Sequence, residues 1–202
     1  PNEDETSYAV FWNETDCISV NGIASESISI QEDRRSAEFT FLKGFESALY
    51  AAYPASVVSK YESGALTLFL PNVQTWSESD QFDPAAAVML AQVTDGASLR
   101  FRHAMAYLRV ALSEASDPEP IAAVVLSTND GSALCGAFQA TYGSDLWTLT
   151  PQENAASQVE LYCGTQGAPL GSQMVIAIPA GEYAAGLTVQ VKDVSGDYQV
   201  RK

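Results

Sequence analysis

Residues 99–112 have the sequence LRFRHAMAYLRVAL, in which apolar and polar side chains alternate as in a β-strand with one face on a core. The alternation changes phase once. Up to His103 the alternating set lies at odd positions (Leu99, Phe101 and His103), whereas from Ala104 onward the apolar residues lie at even positions. One extra residue near His103 produces such a change, as in a β-bulge. We therefore expect a long strand with a kink at His103.

His103 is the only histidine of the chain, and its surroundings decide whether it is reactive. A catalytic histidine needs a nucleophile or an acid held beside it, and the sequence has no GxSxG or HExxH motif. One histidine also cannot build a multi-histidine metal site. We therefore expect His103 to pack or to form a hydrogen bond within its strand. The sequence predicts no enzyme, no catalytic residue, no metal site and no cofactor.

The same period-two alternation recurs along the chain and indicates an all-β fold. Helical patterns are rare, so a parallel α/β fold is disfavoured. The alternating segments are YAVFW (8–12), CISV (17–20), SISIQ (27–31), AEFTFL (37–42), ALTLFL (65–70), SQVELYC (157–163), MVIAI (174–178) and GLTVQVKDV (186–194).

Turn residues separate these segments. Asn129, Asp130 and Gly131 lie between IAAVVL and ALCGAF and predict a hairpin, because these residue types tolerate positive φ. DVSGDY predicts a second turn, after which YQVRK begins a strand. In DPAAAVML, Asp83 can cap a helix that Pro84 begins, so one or two helical turns are expected. No linker divides residues 1–202, which we interpret as one domain.

Composition limits the possible partners. Ten Lys+Arg against 25 Asp+Glu give a net charge of −15, which disfavours nucleic acid and anionic membranes. The longest apolar runs are far shorter than the roughly 20 residues of a membrane span. The opening PNEDETS has no basic and apolar export segment, so the chain is either cytosolic or begins after a removed signal.

Three further features have ordinary interpretations. Cys17, Cys135 and Cys163 show no zinc-ligand spacing, and buried free thiols are favoured over a Cys135–Cys163 disulfide. Acidic clusters such as ESDQFD indicate a solvated surface. Trp76 lies in the polar segment NVQTWSESDQFD, so it is the aromatic residue most suited to a surface binding role.

Several segments together resemble fimbrillin-like (Mfa-like) fimbrial subunits of the Bacteroidetes. In order they are VFWNETDCISVNG, AEFTF, YAAYPAS, LTLFLPNVQ, QFDPAAAVMLAQ and LRFRHAMAYLRVAL, and IPAGEYAAGLTVQVKD resembles the closing strands of the family's N-terminal domain. The resemblance implies a transthyretin-like antiparallel β-sandwich that is exported as a lipoprotein. It also implies a place at the outer membrane or in the fimbrium, and assembly with other subunits by donor-strand exchange. We expect the chain to be the N-terminal domain of a longer subunit or a short relative.

Two functions therefore remain open. The first is a structural or adhesive fimbrial subunit that binds other subunits through strand addition, with host or bacterial surface glycans or proteins as further partners. The alternative is a cell-surface carbohydrate-binding module that uses Trp76 and nearby acids. Some precursors of the family are cleaved after an arginine in an early loop. QEDRRSAE offers Arg34 and Arg35 for this, although a charged hairpin turn is the favoured explanation of these residues.

Overall fold

The computed structural model describes residues 11–45, 49–78, 82–93, 98–112, 119–196 and 198–201, and eighteen strands lie within these ranges. The first nine are β1 Ser19–Val20, β2 Ile23–Ala24, β3 Ser27–Ile30, β4 Ala37–Thr40, β5 Leu49–Tyr53, β6 Val58–Glu62, β7 Ala65–Leu70, β8 Val73–Thr75 and β9 Met89–Val93. The other nine are β10 Arg102–His103, β11 Met105–Val110, β12 Ile121–Thr128, β13 Gly136–Gly143, β14 Leu146–Pro151, β15 Gln158–Tyr162, β16 Met174–Pro179, β17 Leu187–Asp193 and β18 Tyr198–Arg201.

Helical structure in the described part of the chain is confined to two single 3₁₀ turns, Ala55–Val57 and Pro84–Ala86. The second is the helical turn that the sequence predicts. The Asp83 carboxylate accepts a hydrogen bond from the Ala85 N–H at 2.9 Å and so caps it. The turn ends after three residues because the apolar run that follows enters β9. The prediction of an all-β sandwich with at most two short helical turns is confirmed.

The strands form four sheets and one separate hairpin. Sheet I has the order β10-β9-β5-β1-β2, sheet II β14-β13-β7-β6, sheet III β18-β17-β12-β15-β8 and sheet IV β11-β16, while β3 and β4 pair with each other. All neighbours are antiparallel except β8, which runs parallel to β15. None of the helical segments in the described ranges has the length and apolar character of a membrane span.

Apolar side chains gather into three clusters. The front core lies between sheets I and II and includes Ala52, Leu68, Leu90 and Phe138. The rear core lies between sheets III and IV, and its fully buried members include Leu126, Leu134, Val159, Leu161, Met174 and Ile176. The outer cluster covers the other face of sheet I and includes Ile18, Val20, Ala51, Tyr53, Met89 and Ala91. Sheet I is therefore buried on both faces.

The segment 99–112 connects two sheets, which explains its change of phase. β10 pairs with β9 in sheet I, whereas β11 pairs with β16 in sheet IV. Ala104 lies between them. Its N–H donates to the Val88 carbonyl at 3.0 Å, and its carbonyl accepts from the Ala180 N–H at 3.2 Å. The predicted kink is thus the point at which the strand exchanges one partner for another.

Two sequence predictions are wrong. β12 pairs with β15 and β17, while β13 pairs with β7 and β14, so residues 129–131 do not connect a hairpin. The turn itself forms, since Gly131 has a φ of 82° and the Asp130 carboxylate accepts from the Ser132 N–H. It carries the chain from sheet III to sheet II. The second error is the strand at 8–12, because residues 11–12 are not in a strand and residues 8–10 lie outside the described residues.

The other predicted turn and the thiols agree with expectation. β17 and β18 pair around the turn at residues 195–196, so DVSGDY does connect a hairpin. All three cysteines are free, with Cys135 and Cys163 buried and Cys17 partly buried. Burial raises the pKa of Cys163 to about 11, with a further contribution from Glu160. This thiol is therefore protonated at neutral pH, as an inert core residue is.

Candidate functional site

The outer cluster forms an open groove of about 990 Å³ on sheet I. Its floor is the outward face of β1, β5 and β9, which presents Val20, Tyr53 and Met89. Alternation places these residues on the face opposite Ala52 and Leu90, which belong to the front core. The floor is apolar because the strands of a doubly covered sheet need apolar residues at both parities.

Two aromatic walls stand along this floor. Phe39 from β4 and the residues after that strand, Phe41 and Phe45, form one wall. The rings of Phe41 and Phe45 meet edge to face with centroids 5.1 Å apart. Leu99 and Phe101, which precede β10, form the other wall. The alternation in residues 99–101 therefore places the side chains of Leu99 and Phe101 along the groove.

Trp12 connects both walls and the floor. Its ring lies edge to face with Phe39 at 5.1 Å, with Tyr53 at 5.4 Å and with Phe101 at 5.8 Å between centroids. Such T-shaped pairs add about 0.5–1.5 kcal/mol each beyond the burial of area. The chain around Trp12 is not a strand, so side-chain contacts rather than a ladder of backbone bonds hold it in the groove.

The β3–β4 turn clamps the segment that carries Trp12. The Trp12 N–H donates to the Arg34 carbonyl at 2.9 Å, and the Arg34 Nε donates to the Trp12 carbonyl at 3.2 Å. The guanidinium also donates to the Asn13 side chain and lies 5.9 Å from the centre of the Phe11 ring. Arg34 has a φ of 55°, in the left-handed region. Arg34, one of the two predicted processing residues, thus acts as a structural clamp.

A partly buried hydrogen bond joins the same segment to the floor. The Tyr53 hydroxyl donates to the Asp16 carboxylate at 2.9 Å, and Asp16 also accepts from the Asn13 N–H at 2.7 Å. Burial and the neighbouring carboxylate raise the pKa of Tyr53 well above its usual value. Two arginines, Arg35 and Arg100, and two acidic residues, Asp16 and Glu38, border the groove. The groove is therefore apolar inside and charge-balanced at its rim.

The other residues singled out by the sequence lie elsewhere. Trp76 is half-buried against the rear core, and its Nε1–H donates to the Gln173 carbonyl at 3.1 Å. His103 is exposed, with its Nδ1 3.1 Å from the Tyr107 hydroxyl, and partial burial lowers its pKa. Among the described residues no three His, Cys, Asp or Glu side chains lie together as a metal site. A surface role for Trp76 stays a prediction.

Sequence reasoning missed one buried side chain that closes a sheet edge. Gln74 of β8 is 1% exposed, and its amide donates to the Ala177 carbonyl at 2.7 Å and accepts from the Ala177 N–H at 2.9 Å. It thereby occupies the backbone groups of β16 that a further strand would take. The only signal in the sequence is a glutamine between Val73 and Thr75 in a short alternating run.

Comparison with known proteins identifies a related fold. No protein-family model matches the chain, and no curated protein matches it. A solved structure, described as a "putative cell adhesion protein" from Bacteroides ovatus, superposes with a TM-score of 0.50 over 94% of this chain and 76% of its own. The two sequences are 14% identical. At this identity the likeness establishes the shared all-β fold.

Proposed function

We propose that the chain is a structural or adhesive subunit of a cell-surface fimbria and that it assembles by donor-strand exchange. The observation that carries this proposal is the position of Trp12. Trp12 comes from a segment without strand pairing, and it lies in an open aromatic groove on a sheet. A segment of this kind is easier to displace than a strand that is fully hydrogen-bonded to its neighbours, because fewer backbone hydrogen bonds must break.

Two further facts support the proposal. The groove has an apolar floor against which the apolar side chains of an added segment could pack. The structure that shares this fold is described as a "putative cell adhesion protein" of a Bacteroides species, in agreement with the family that the sequence resembles. A sugar platform at Trp76 is less favoured, because its ring is half-buried against the rear core.

A cut-and-replace experiment tests strand exchange. A protease site inserted between Asp16 and Cys17 lets the chain fold intact before residues 1–16 are released. A synthetic peptide, SYAVFWNETD, is then added, with the same peptide carrying Ala in place of the tryptophan as the matched control. We expect the first peptide to bind and to restore the melting temperature, and the control peptide to fail. A cut chain that takes up neither peptide and stays monomeric at high concentration contradicts the proposal.

Processing at the arginine turn is a separate part of the proposal. The Arg34 side chain is bonded to residues 12 and 13, whereas within the described ranges no side chain or backbone group bonds the Arg35 guanidinium. We therefore expect an arginine-specific protease to cut first after Arg35. Mass spectrometry of a limited digest locates the cut, and Arg35→Gln serves as the control. First cleavage at an arginine outside this turn, with the turn intact, would contradict the proposed processing site.

A further inference from the structure

A second, smaller cleft lies at the edge of sheet I, between β9 and β10 on one side and the β13–β14 hairpin on the other. It has a volume of about 400 Å³. Its polar lining consists of Gln92, Ser98, Arg100 and Arg102, and its aromatic lining of Tyr142 and Trp147. This size is within the range of small-molecule sites, which combine an apolar wall with a few convergent polar groups.

The charge of this cleft is opposite to that of the whole chain. The chain has a net charge of −15 and only ten Lys+Arg, yet the lining residues within the described ranges include two arginines and no acid. Arg102 lies opposite Leu90 in the strand register, so both side chains leave sheet I on the same face. Within the described ranges neither Arg100 nor Arg102 has an ion-pair partner. The nearest acid of the hairpin, Asp145, is 3.3 Å from the Tyr142 hydroxyl.

The aromatic wall is held in place by the front core. Trp147 and Tyr142 are opposite each other in the β13–β14 register, and their rings are 5.3 Å apart at an angle of 58°. Tyr50 meets Trp147 nearly at right angles, with centroids 6.3 Å apart. Both Trp147 and Tyr142 remain partly exposed. A ring fixed in this way offers a surface for stacking without losing much conformational entropy on binding.

We propose that this cleft binds a carboxylate-bearing sugar, such as a hexuronic or sialic-type acid. Arginine forms bidentate hydrogen bonds with a carboxylate, and two arginines supply more donors than one carboxylate needs. The aromatic wall suits the C–H face of a pyranose ring, and Gln92 and Ser98 suit its hydroxyl groups. The polar groups converge in one small cleft rather than along an extended groove, which favours a single ring over an acidic peptide.

The cleft shares Ser98 and Arg100 with the border of the groove that holds Trp12, whereas Gln92, Arg102 and the aromatic wall line the cleft and not the groove. The proposal does not depend on strand exchange. The intact chain should bind the sugar whether or not the cut chain accepts a strand. Failure of one proposal is therefore distinguishable from failure of the other. If both hold, the subunit contributes a glycan contact of its own as well as a place in the fibre.

Titration of the intact chain with defined sugars tests the site. Glucuronic acid, N-acetylneuraminic acid and neutral glucose are added in turn while the Trp147 indole N–H is followed by NMR. We expect the acids to shift this signal and glucose to bind about tenfold or more weakly, since it lacks the charge-assisted bonds. Arg102→Gln and Arg102→Lys should each weaken binding, the latter because lysine cannot bind in a bidentate manner. Arg109→Gln, an exposed arginine of β11 outside the cleft, is the matched control.

Three results would overturn this assignment. They are the absence of a shift with either acid, equal affinity for glucose, and unchanged binding by Arg102→Gln. Tighter binding of an Asp- and Glu-rich peptide than of either sugar acid would also contradict it, in favour of a peptide partner. Melting curves of each variant exclude unfolding as the cause of lost binding, and Arg100→Gln repeats the test at a second position of the cleft.

Discussion

The rear core and the outer cluster bury apolar surface in different ways. The rear core lies between two sheets, and its central members are aliphatic residues such as Leu126, Leu161 and Ile176, each at most 1% exposed. The outer cluster is built on aromatic rings, and it surrounds a groove of about 990 Å³. Its central ring, Trp12, is only half-buried. The rear core is thus closely packed, whereas the outer cluster surrounds open space.

The difference indicates where the molecule can change without unfolding. Close-packed aliphatic side chains fix the positions of two sheets, so their loss is transmitted to the whole sandwich. Rings that meet edge to face across a groove can separate when one of them leaves, while the floor strands keep their own pairing in sheet I. The fold therefore combines a close-packed core that maintains the sandwich with an aromatic cluster whose floor strands are paired independently of Trp12.

The largest effect is expected in the rear core. Leu161→Ala removes a side chain that is 1% exposed between sheets III and IV, and it should lower the free energy of unfolding by about 2–5 kcal/mol. Leu42→Ala, at a residue that is 81% exposed, is the matched control and should change it by less than about 0.5 kcal/mol. Urea unfolding measures both. A loss at Leu161 no larger than at Leu42 contradicts the assignment of this core.

The next effect concerns the closed edge of β16. Gln74→Leu fills a similar volume but leaves the N–H and carbonyl of Ala177 buried without partners, which should cost about 2–4 kcal/mol. Gln139→Leu makes the same change at an exposed position of β13 and should be nearly neutral. Amide exchange at Ala177 should also become faster in the first variant. Unchanged exchange there would show that the glutamine does not protect the edge.

Gln74 also illustrates what the sequence predicts and what it does not. Periodicity gives ALTLFL as β7 and MVIAI as the centre of β16, because strands with a buried face must alternate or be apolar throughout. The partner of each strand is a long-range property. Gln74 bonds Ala177 across more than a hundred residues of chain, and no local pattern encodes that meeting.

The wrong hairpin at residues 129–131 has the same origin. The turn residues act locally, and Gly131 adopts the expected positive φ. Whether the flanking strands then pair depends on sheets II and III, which are assembled from distant segments. Likewise, the strand interpretation of residues 11–12 followed from their apolar character. That character instead serves the contacts of Trp12 with Phe39 and Phe101.

A smaller and local effect is expected in the outer cluster. Trp12→Ala removes three edge-to-face contacts of a half-buried ring, so it should cost about 1–3 kcal/mol, less than a buried tryptophan. Exchange protection should fall around residues 39–45 and 99–101 and remain unchanged in the rear core. Trp12→Phe is the control that keeps a ring in the groove. A uniform loss of protection would contradict the independence of the two regions.

The smallest effect is expected at the junction between sheets I and IV, where His103 lies. His103→Ala removes a hydrogen bond to Tyr107 from an exposed side chain and should lower the free energy of unfolding by about 0.5–1 kcal/mol, without loss of any activity. Tyr107→Phe is the matched variant, because it removes the other partner of the same bond. A loss as large as that of Leu161→Ala would place the junction among the residues that maintain the sandwich.

The same histidine makes stability depend on pH in a direction that the structure determines. Partial burial lowers the pKa of His103 below about 6.5, its usual value, so the unfolded chain takes up the proton first as the pH falls. Its contribution to stability is therefore complete above about pH 6.5 and is lost as the pH falls through the folded-state pKa. Burial raises the pKa of Tyr107 to about 12, so the partner phenol stays protonated throughout. Urea midpoints measured between pH 5 and pH 8 should decline toward low pH less steeply in His103→Ala than in the unmodified chain. Parallel curves would show that the ring is as solvated in the fold as in the unfolded chain.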